Sequence, residues 1–76
     1  MQENKIPKRL QIMLNNLGMM QKELSEKSGI SEGDISRYMN GRRTPSAMAL
    51  INIANATKVS PGWILGLGSD ENMERM

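Results

Sequence analysis

The segment from Gln21 to Asn40, QKELSEKSGISEGDISRYMN, constrains the fold of this chain more than any other part of it. Leu24, Ile30 and Ile35 are apolar at the positions where two crossing helices would meet a core. Ser25 is small where the two helices would approach most closely. This pattern predicts two short helices joined by a tight turn.

The residues of the turn support the same interpretation. Gly29 lies where the first helix of the pair must end in a left-handed residue, and glycine adopts that conformation at the least cost. Ser31 then provides an N-cap oxygen, and Asp34, three residues later, completes a capping box. The spacing predicts a helix-turn-helix motif, whose second helix is suited to a DNA major groove.

Three further helices are predicted outside the motif. Ile6, Leu10, Met13, Leu14 and Leu17 recur at three- and four-residue spacing, which predicts a first helix that ends near Gly18. Ser46 caps a predicted fourth helix that extends to about Thr57. Its apolar stripe contains Ala47, Leu50, Ile51, Ile53 and Ala54.

A short fifth helix is predicted to start at Ser60-Pro61, with serine as the cap and proline at the first helical position. The expected fold is therefore all-α, a compact five-helix domain in which helices 2 and 3 form the motif. Its predicted limits are residues 6–68, between a flexible N-terminus (1–5) and a disordered acidic tail (69–76).

The composition of the 76-residue chain excludes several classes of function. Cysteine and histidine are absent, so we expect no thiolate or imidazole metal site, no cofactor, no catalytic residues and no enzyme activity. The net charge is +2, but residues 70–76 contain three acidic residues and one basic residue. The remainder has nine basic and five acidic residues, hence +4, a modest excess suited to a DNA partner.

The chain resembles the Cro and lambda-repressor-like (Xre-type) DNA-binding domains from Ile6 to about Leu67. The matching features are Gln21 at the start of the first motif helix, ISRYMNGRRTPS from Ile35 to Ser46, and VSPGWILG from Val59 to Gly66. The resemblance implies a transcriptional repressor that binds palindromic operator DNA as a homodimer. It also implies a cytoplasmic, nucleoid-associated protein of a bacterium or phage. The sequence has no apolar run long enough for a membrane span, which agrees with the expected intracellular location.

In that family, the N-terminal half of the second motif helix reads base edges. The corresponding residues here are Ser31, Glu32, Gly33, Ser36 and Arg37. Two roles fit Arg37, because its planar fork can bind guanine O6 and N7 or hold a phosphate. Glu32 either accepts a hydrogen bond from cytosine N4 or interacts with the helix N-terminus. Gly33 either lets the backbone approach the groove closely or leaves the position without a reader.

Contacts with the DNA backbone are expected from residues on both sides of the second motif helix. The predicted phosphate contacts are Gln21, Lys22, Asn40, Gly41, Arg42 and Arg43, with Lys8 and Arg9 as weaker candidates. The start of helix 2 and the turn after helix 3 would also offer main-chain N–H groups.

The apolar C-terminal end of the domain predicts a dimer interface formed by Trp63, Ile64, Leu65 and Leu67. For Trp63, packing in the core under the first helix is the competing role, and we expect this side chain to lie partly in the core and partly in the interface. An antitoxin-like or adaptor module, using the same fold to hold a protein partner, is the alternative function.

Two positions depart from the family pattern. Members commonly have threonine or serine before the glutamine of helix 2, where this chain has Met20 and so lacks the cap oxygen. Members also often carry glutamate at the position of Met39, paired in some with an arginine at the position of Leu14. A hydrophobic contact is expected to replace that ion pair.

Overall fold

Five helices account for most of the molecule. A computed structural model describes residues 4–76, and its helices are α1 (Ile6–Leu17), α2 (Gln21–Ser28), α3 (Glu32–Met39), α4 (Ala47–Thr57) and α5 (Pro61–Leu65). Within these residues the only β feature is an isolated antiparallel bridge between Val59 and Arg75. The predicted all-α, five-helix fold is confirmed. Residues 1–3 of the predicted flexible N-terminus lie outside the described residues.

Local capping groups determine where the helices start and end. The Ser31 and Ser46 hydroxyls each accept a hydrogen bond, 3.1 Å long, from the amide three residues later. Gly29 is left-handed, with φ +76°, as the sequence predicts. Asn4, placed in the predicted flexible N-terminus, accepts a 3.1 Å hydrogen bond from the Ile6 amide. Met20 makes no side-chain cap bond at the start of α2.

The core forms where α1 packs against α3 and α5, and where α2 packs against α3 and α4. Its fully buried members include Leu24 and Ile35 of the motif and Ile53 of α4. Ser25 does more than fit between the helices, because its hydroxyl donates a hydrogen bond to the Ile30 carbonyl across the turn. Ile51 was predicted to face the core but is 44% exposed, since α4 buries a narrower stripe than its composition suggests.

A fully buried arginine lies at the centre of the contact between α1 and α5. The Arg9 guanidinium donates from Nη1 to the carbonyls of Trp63 (2.6 Å) and Leu67 (2.9 Å). It also donates from Nη2 to the Gly68 carbonyl (2.8 Å) and from Nε to the Asp70 carboxylate. Its charge and its donors are therefore satisfied inside the protein, which a buried arginine requires.

The C-terminal segment, residues 69–76, packs against the helical body, in contrast to the disordered tail that the sequence predicts. The Ser60 amide donates to the Glu74 carbonyl and the Met76 amide donates to the Lys58 carbonyl, each at 2.8 Å. Met73 packs against the core. The polar composition of the segment suggests disorder, but the segment is held by backbone hydrogen bonds and by the contacts of Asp70 with Arg9 and Lys8, which do not require an apolar stripe.

No helix among the described residues is long and apolar enough to cross a membrane.

Candidate nucleic-acid interface

The second motif helix, α3, buries one face and exposes the other. Ile35 and Tyr38 are buried in the core, and this packing turns the opposite face of the helix outward. Ser31, Glu32 and Gly33 at the start of the helix are exposed, as is Arg37 one turn later, whereas Ser36 is half-buried. Four of the five predicted base readers are therefore freely accessible.

Asp34 links two arginines on this surface. Its Oδ1 lies 3.0 Å from Arg37 Nη1 and 3.4 Å from Arg43 Nη1. The Arg37 guanidinium also lies over Gly33, since a Cβ on Gly33 would be 3.4 Å from Arg37 Nη1. Arg43, predicted as a phosphate contact beyond the helix, thus folds back to the same carboxylate as the predicted base reader.

The start of α2 contributes to the same region. Gln21 and Lys22 are exposed, and both line an open groove of about 720 Å³ together with Glu32 of α3. Leu14 and Met39, the apolar pair predicted to replace an ion pair, line this groove as well. The structure therefore brings predicted phosphate contacts of α2 next to the first turn of the predicted reading helix.

The turn after α3 differs from expectation. Its main-chain N–H groups were predicted to be available to phosphates, but they bind carbonyls of α3. The amides of Arg42 and Arg43 both donate to the Arg37 carbonyl, at 2.9 and 3.3 Å, and the Gly41 amide donates to the Tyr38 carbonyl at 3.3 Å. Gly41, with φ +75°, ends the helix. The side chains of Asn40, Arg42 and Arg43 are exposed in this turn, although Asn40 also contacts Ser36 and Arg43 also contacts Asp34.

Arg9, a weaker candidate for phosphate contact, has no exposed surface and cannot reach DNA. Its partner Asp70 also accepts from Lys8 Nζ at 2.9 Å. Hydrogen bonds from Lys8 and Arg9 lower the pKa of Asp70 from 3.8 to about 2. The role of this cluster is structural, since it joins α1 to the C-terminal segment.

The predicted dimer residues separate into two pairs. Trp63 and Ile64 are fully buried within the monomer, so they offer no surface to a partner in this conformation. Leu65 and Leu67 are 53% and 68% exposed. The short helix α5 directs Trp63 and Ile64 to the core. The apolar run from Trp63 to Leu67 therefore predicts a larger interface than its exposed residues can form.

The sequence interpretation does not include the ion pairs of Asp34 with Arg37 and Arg43, because the three-residue spacing from Ser31 already assigns Asp34 to the helix cap. Of the predicted capping box, the bond from the Asp34 amide to the Ser31 hydroxyl is present, whereas the Asp34 carboxylate pairs with the two arginines. The three-residue spacing of Asp34 and Arg37 on a helix is a readable signal for an ion pair. The contact with Arg43, nine residues away, depends on the turn.

Comparison with known protein families gives one match. A family model described as helix-turn-helix matches residues 10–64, more than half of the chain. Comparisons with curated proteins and with solved structures give no match.

Proposed function

The chain belongs to the Cro/C1-type helix-turn-helix family of DNA-binding regulators, and we propose that it is a repressor that binds a palindromic operator as a homodimer. The observation that carries this proposal is the outward face of α3. Arg37 and Arg43 converge there on Asp34, next to the exposed start of the helix. A protein of this kind acts on DNA in the cytoplasm.

The reading helix would enter the major groove by its N-terminal half. Arg37 can donate two hydrogen bonds to guanine, while Ser31, Glu32 and Ser36 supply shorter polar groups at neighbouring base pairs. Gln21, Lys22 and Asn40 would contact phosphates together with Arg42 and Arg43 and so orient the helix. The positive charge of this set supplies the affinity that is independent of sequence.

Dimerisation follows from the small size of a single reading helix. One α3 contacts only a few base pairs, whereas two copies about 34 Å apart read both halves of a palindrome. Leu65, the last residue of α5, and Leu67, two residues beyond it, are exposed apolar side chains. We assign them to the contact between protomers.

A binding series tests the function. Operator sites would be selected from random duplexes, and affinities for a selected site and for a random duplex would be measured by fluorescence anisotropy at several salt concentrations. Selection of a palindromic site with salt-dependent affinity is expected. Failure to bind any duplex at low salt would overturn the proposal and favour an adaptor that holds a protein partner.

Two sets of variants assign the roles within the site. Arg42→Ala/Arg43→Ala should weaken binding to all sequences, and the salt slope should fall by about 0.9 for each phosphate that the variant no longer binds. Lys27→Ala/Arg75→Ala removes the same charge outside the proposed site and serves as the matched control.

Arg37→Ala should cost about 1–3 kcal/mol on the selected site and relax preference at one base pair per half-site. Equal weakening on both duplexes would make Arg37 a phosphate-binding residue.

A further inference from the structure

Asp34 places a negative charge between two arginines of the candidate interface. Among residues 4–76, it is the only carboxylate paired with arginines of the candidate interface, Arg37 at 3.0 Å and Arg43 at 3.4 Å. Both guanidinium groups belong to side chains that are more than half exposed, whereas the Asp34 side chain is one-third exposed. The two arginines therefore present more surface to the solvent than the carboxylate that pairs with them.

From this geometry we propose that Asp34 is a positioning residue that raises the specificity of DNA binding by acting on Arg37 and Arg43. The inference rests on the proposed function. A DNA phosphate that binds either arginine must compete with a carboxylate that is already there. A non-specific phosphate therefore binds less strongly, because part of the positive charge is already neutralised.

Base reading is affected differently. The hydrogen bond to Asp34 uses Nη1 of Arg37, which leaves the donors of Nη2 and Nε for a guanine edge. The carboxylate also holds the guanidinium against Gly33 and so reduces the side-chain freedom that would be lost on binding. Asp34 therefore weakens phosphate contacts of the two arginines, which depend on charge alone, and favours the contact of Arg37 with guanine, which depends on the orientation of the guanidinium.

The architecture of the helix start makes this role testable by a single substitution. The N-cap bond runs from the Asp34 main-chain amide to the Ser31 hydroxyl, at 3.1 Å, and does not involve the carboxylate. Asp34→Asn keeps that bond and nearly the same shape while it removes the charge. Glu26→Gln is the matched control, because Glu26 is exposed on α2 and the ion pair described on that helix joins Lys27 to Glu23 instead.

The experiment compares affinities for a selected site and for a random duplex across a salt series. Asp34→Asn should bind the random duplex about 2- to 8-fold more tightly at about 0.1 M salt, with a slope steeper by up to about 0.9 for each additional phosphate that the variant binds. The ratio of specific to non-specific affinity should fall. Glu26→Gln should leave that ratio at the wild-type value.

A double-mutant comparison tests whether Asp34 acts through the arginines. In an Arg37→Ala/Arg43→Ala background, Asp34→Asn should no longer change the affinity ratio. A ratio that Asp34→Asn leaves unchanged in the wild-type background, or changes equally without the arginines, would overturn the inference. Thermal melting of each variant would establish that it is folded at the assay temperature.

The ion pair can also be examined without DNA. The Nε signals of Arg37 and Arg43 in NMR spectra should show greater side-chain mobility in Asp34→Asn than in wild-type protein or Glu26→Gln. Unchanged mobility would contradict the positioning role. Wild-type protein that binds no DNA while these signals respond to Asp34→Asn would instead place the failure in the proposed function.

Discussion

The guanidinium of Arg9 lies over the indole ring of Trp63, with 4.6 Å between its central carbon and the ring centroid. Both side chains are fully buried, so this cation–π contact is shielded from water. The same guanidinium binds the Trp63 carbonyl, and the indole N–H donates to the Ser69 carbonyl at 2.8 Å. One pair of residues thus connects α1, α5 and the C-terminal segment.

Replacement of Arg9 should therefore destabilise the whole domain. Arg9→Ala leaves the carbonyls of Trp63, Leu67 and Gly68 without their donor, and we expect a loss of about 3 kcal/mol or more in the free energy of unfolding. Arg9→Lys should not restore the loss, because an ammonium group cannot reproduce the planar fork. Urea unfolding monitored by the fluorescence of the single tryptophan measures the effect.

Lys8→Ala is the matched control, since Lys8 binds the same Asp70 from a side chain that is 65% exposed. Exposed ion pairs contribute little, so a loss below about 1 kcal/mol is expected. Similar losses for Lys8→Ala and Arg9→Ala would contradict the central role of the buried guanidinium.

The lowered pKa of Asp70 predicts a specific dependence of stability on pH. Hydrogen bonds from Lys8 and Arg9 hold this pKa at about 2 instead of 3.8, so the folded state favours the ionised carboxylate. The resulting stabilisation is fully present above the unfolded value and is lost as the pH falls from about 4 to about 2. Asp70→Asn should abolish this part of the acid sensitivity. Unfolding curves between about pH 2 and pH 7 that keep the same pH dependence in both proteins would argue against it.

Gly33 offers a test of how closely the backbone of α3 approaches DNA. Its backbone is helical, and an added Cβ would meet only Arg37, at an ordinary contact distance of 3.4 Å. Gly33→Ala should raise the free energy of unfolding by up to about 1 kcal/mol, since alanine favours helix. We expect operator affinity to fall by about threefold or more (roughly 0.7 kcal/mol), because the methyl group would separate the helix from the base edges. Undiminished affinity would mean that this position merely lacks a reader.

Leu67 tests the proposed dimer. Its main chain is held by Arg9 and by a hydrogen bond to Gly62, whereas its side chain is 68% exposed. Leu67→Glu should therefore yield a folded protein that sediments as a monomer and binds a half-site weakly. Met48→Glu, at another exposed apolar position (65%), is the matched control and should leave the dimer intact. Wild-type protein that remains monomeric on a palindromic site would contradict the assignment.

Much of the motif could be predicted because its signals are local. Gly29, Ser31 and Ser46 determine helix ends through backbone conformation and bonds that span three residues, so their positions in the sequence are sufficient. The apolar spacing of α1 and α3 likewise predicts which faces are buried. These features identified α3 as the candidate reading helix and placed Arg37 on its accessible side.

Contacts between residues far apart in the chain were decided only by the tertiary structure. The sequence makes Arg9 a weaker candidate for phosphate contact, yet Arg9 is buried, because carbonyls 54 to 59 residues away converge on it. The acidic segment from residue 69 onward also depends on contacts between distant residues, because Asp70 binds Arg9 and the main chain near Glu74 and Met76 binds Ser60 and Lys58. The apolar run at the C-terminal end places Trp63 at least partly in a dimer interface, but the packing of α5 buries it fully in the core, because a helix of five residues can turn only some of its side chains inward.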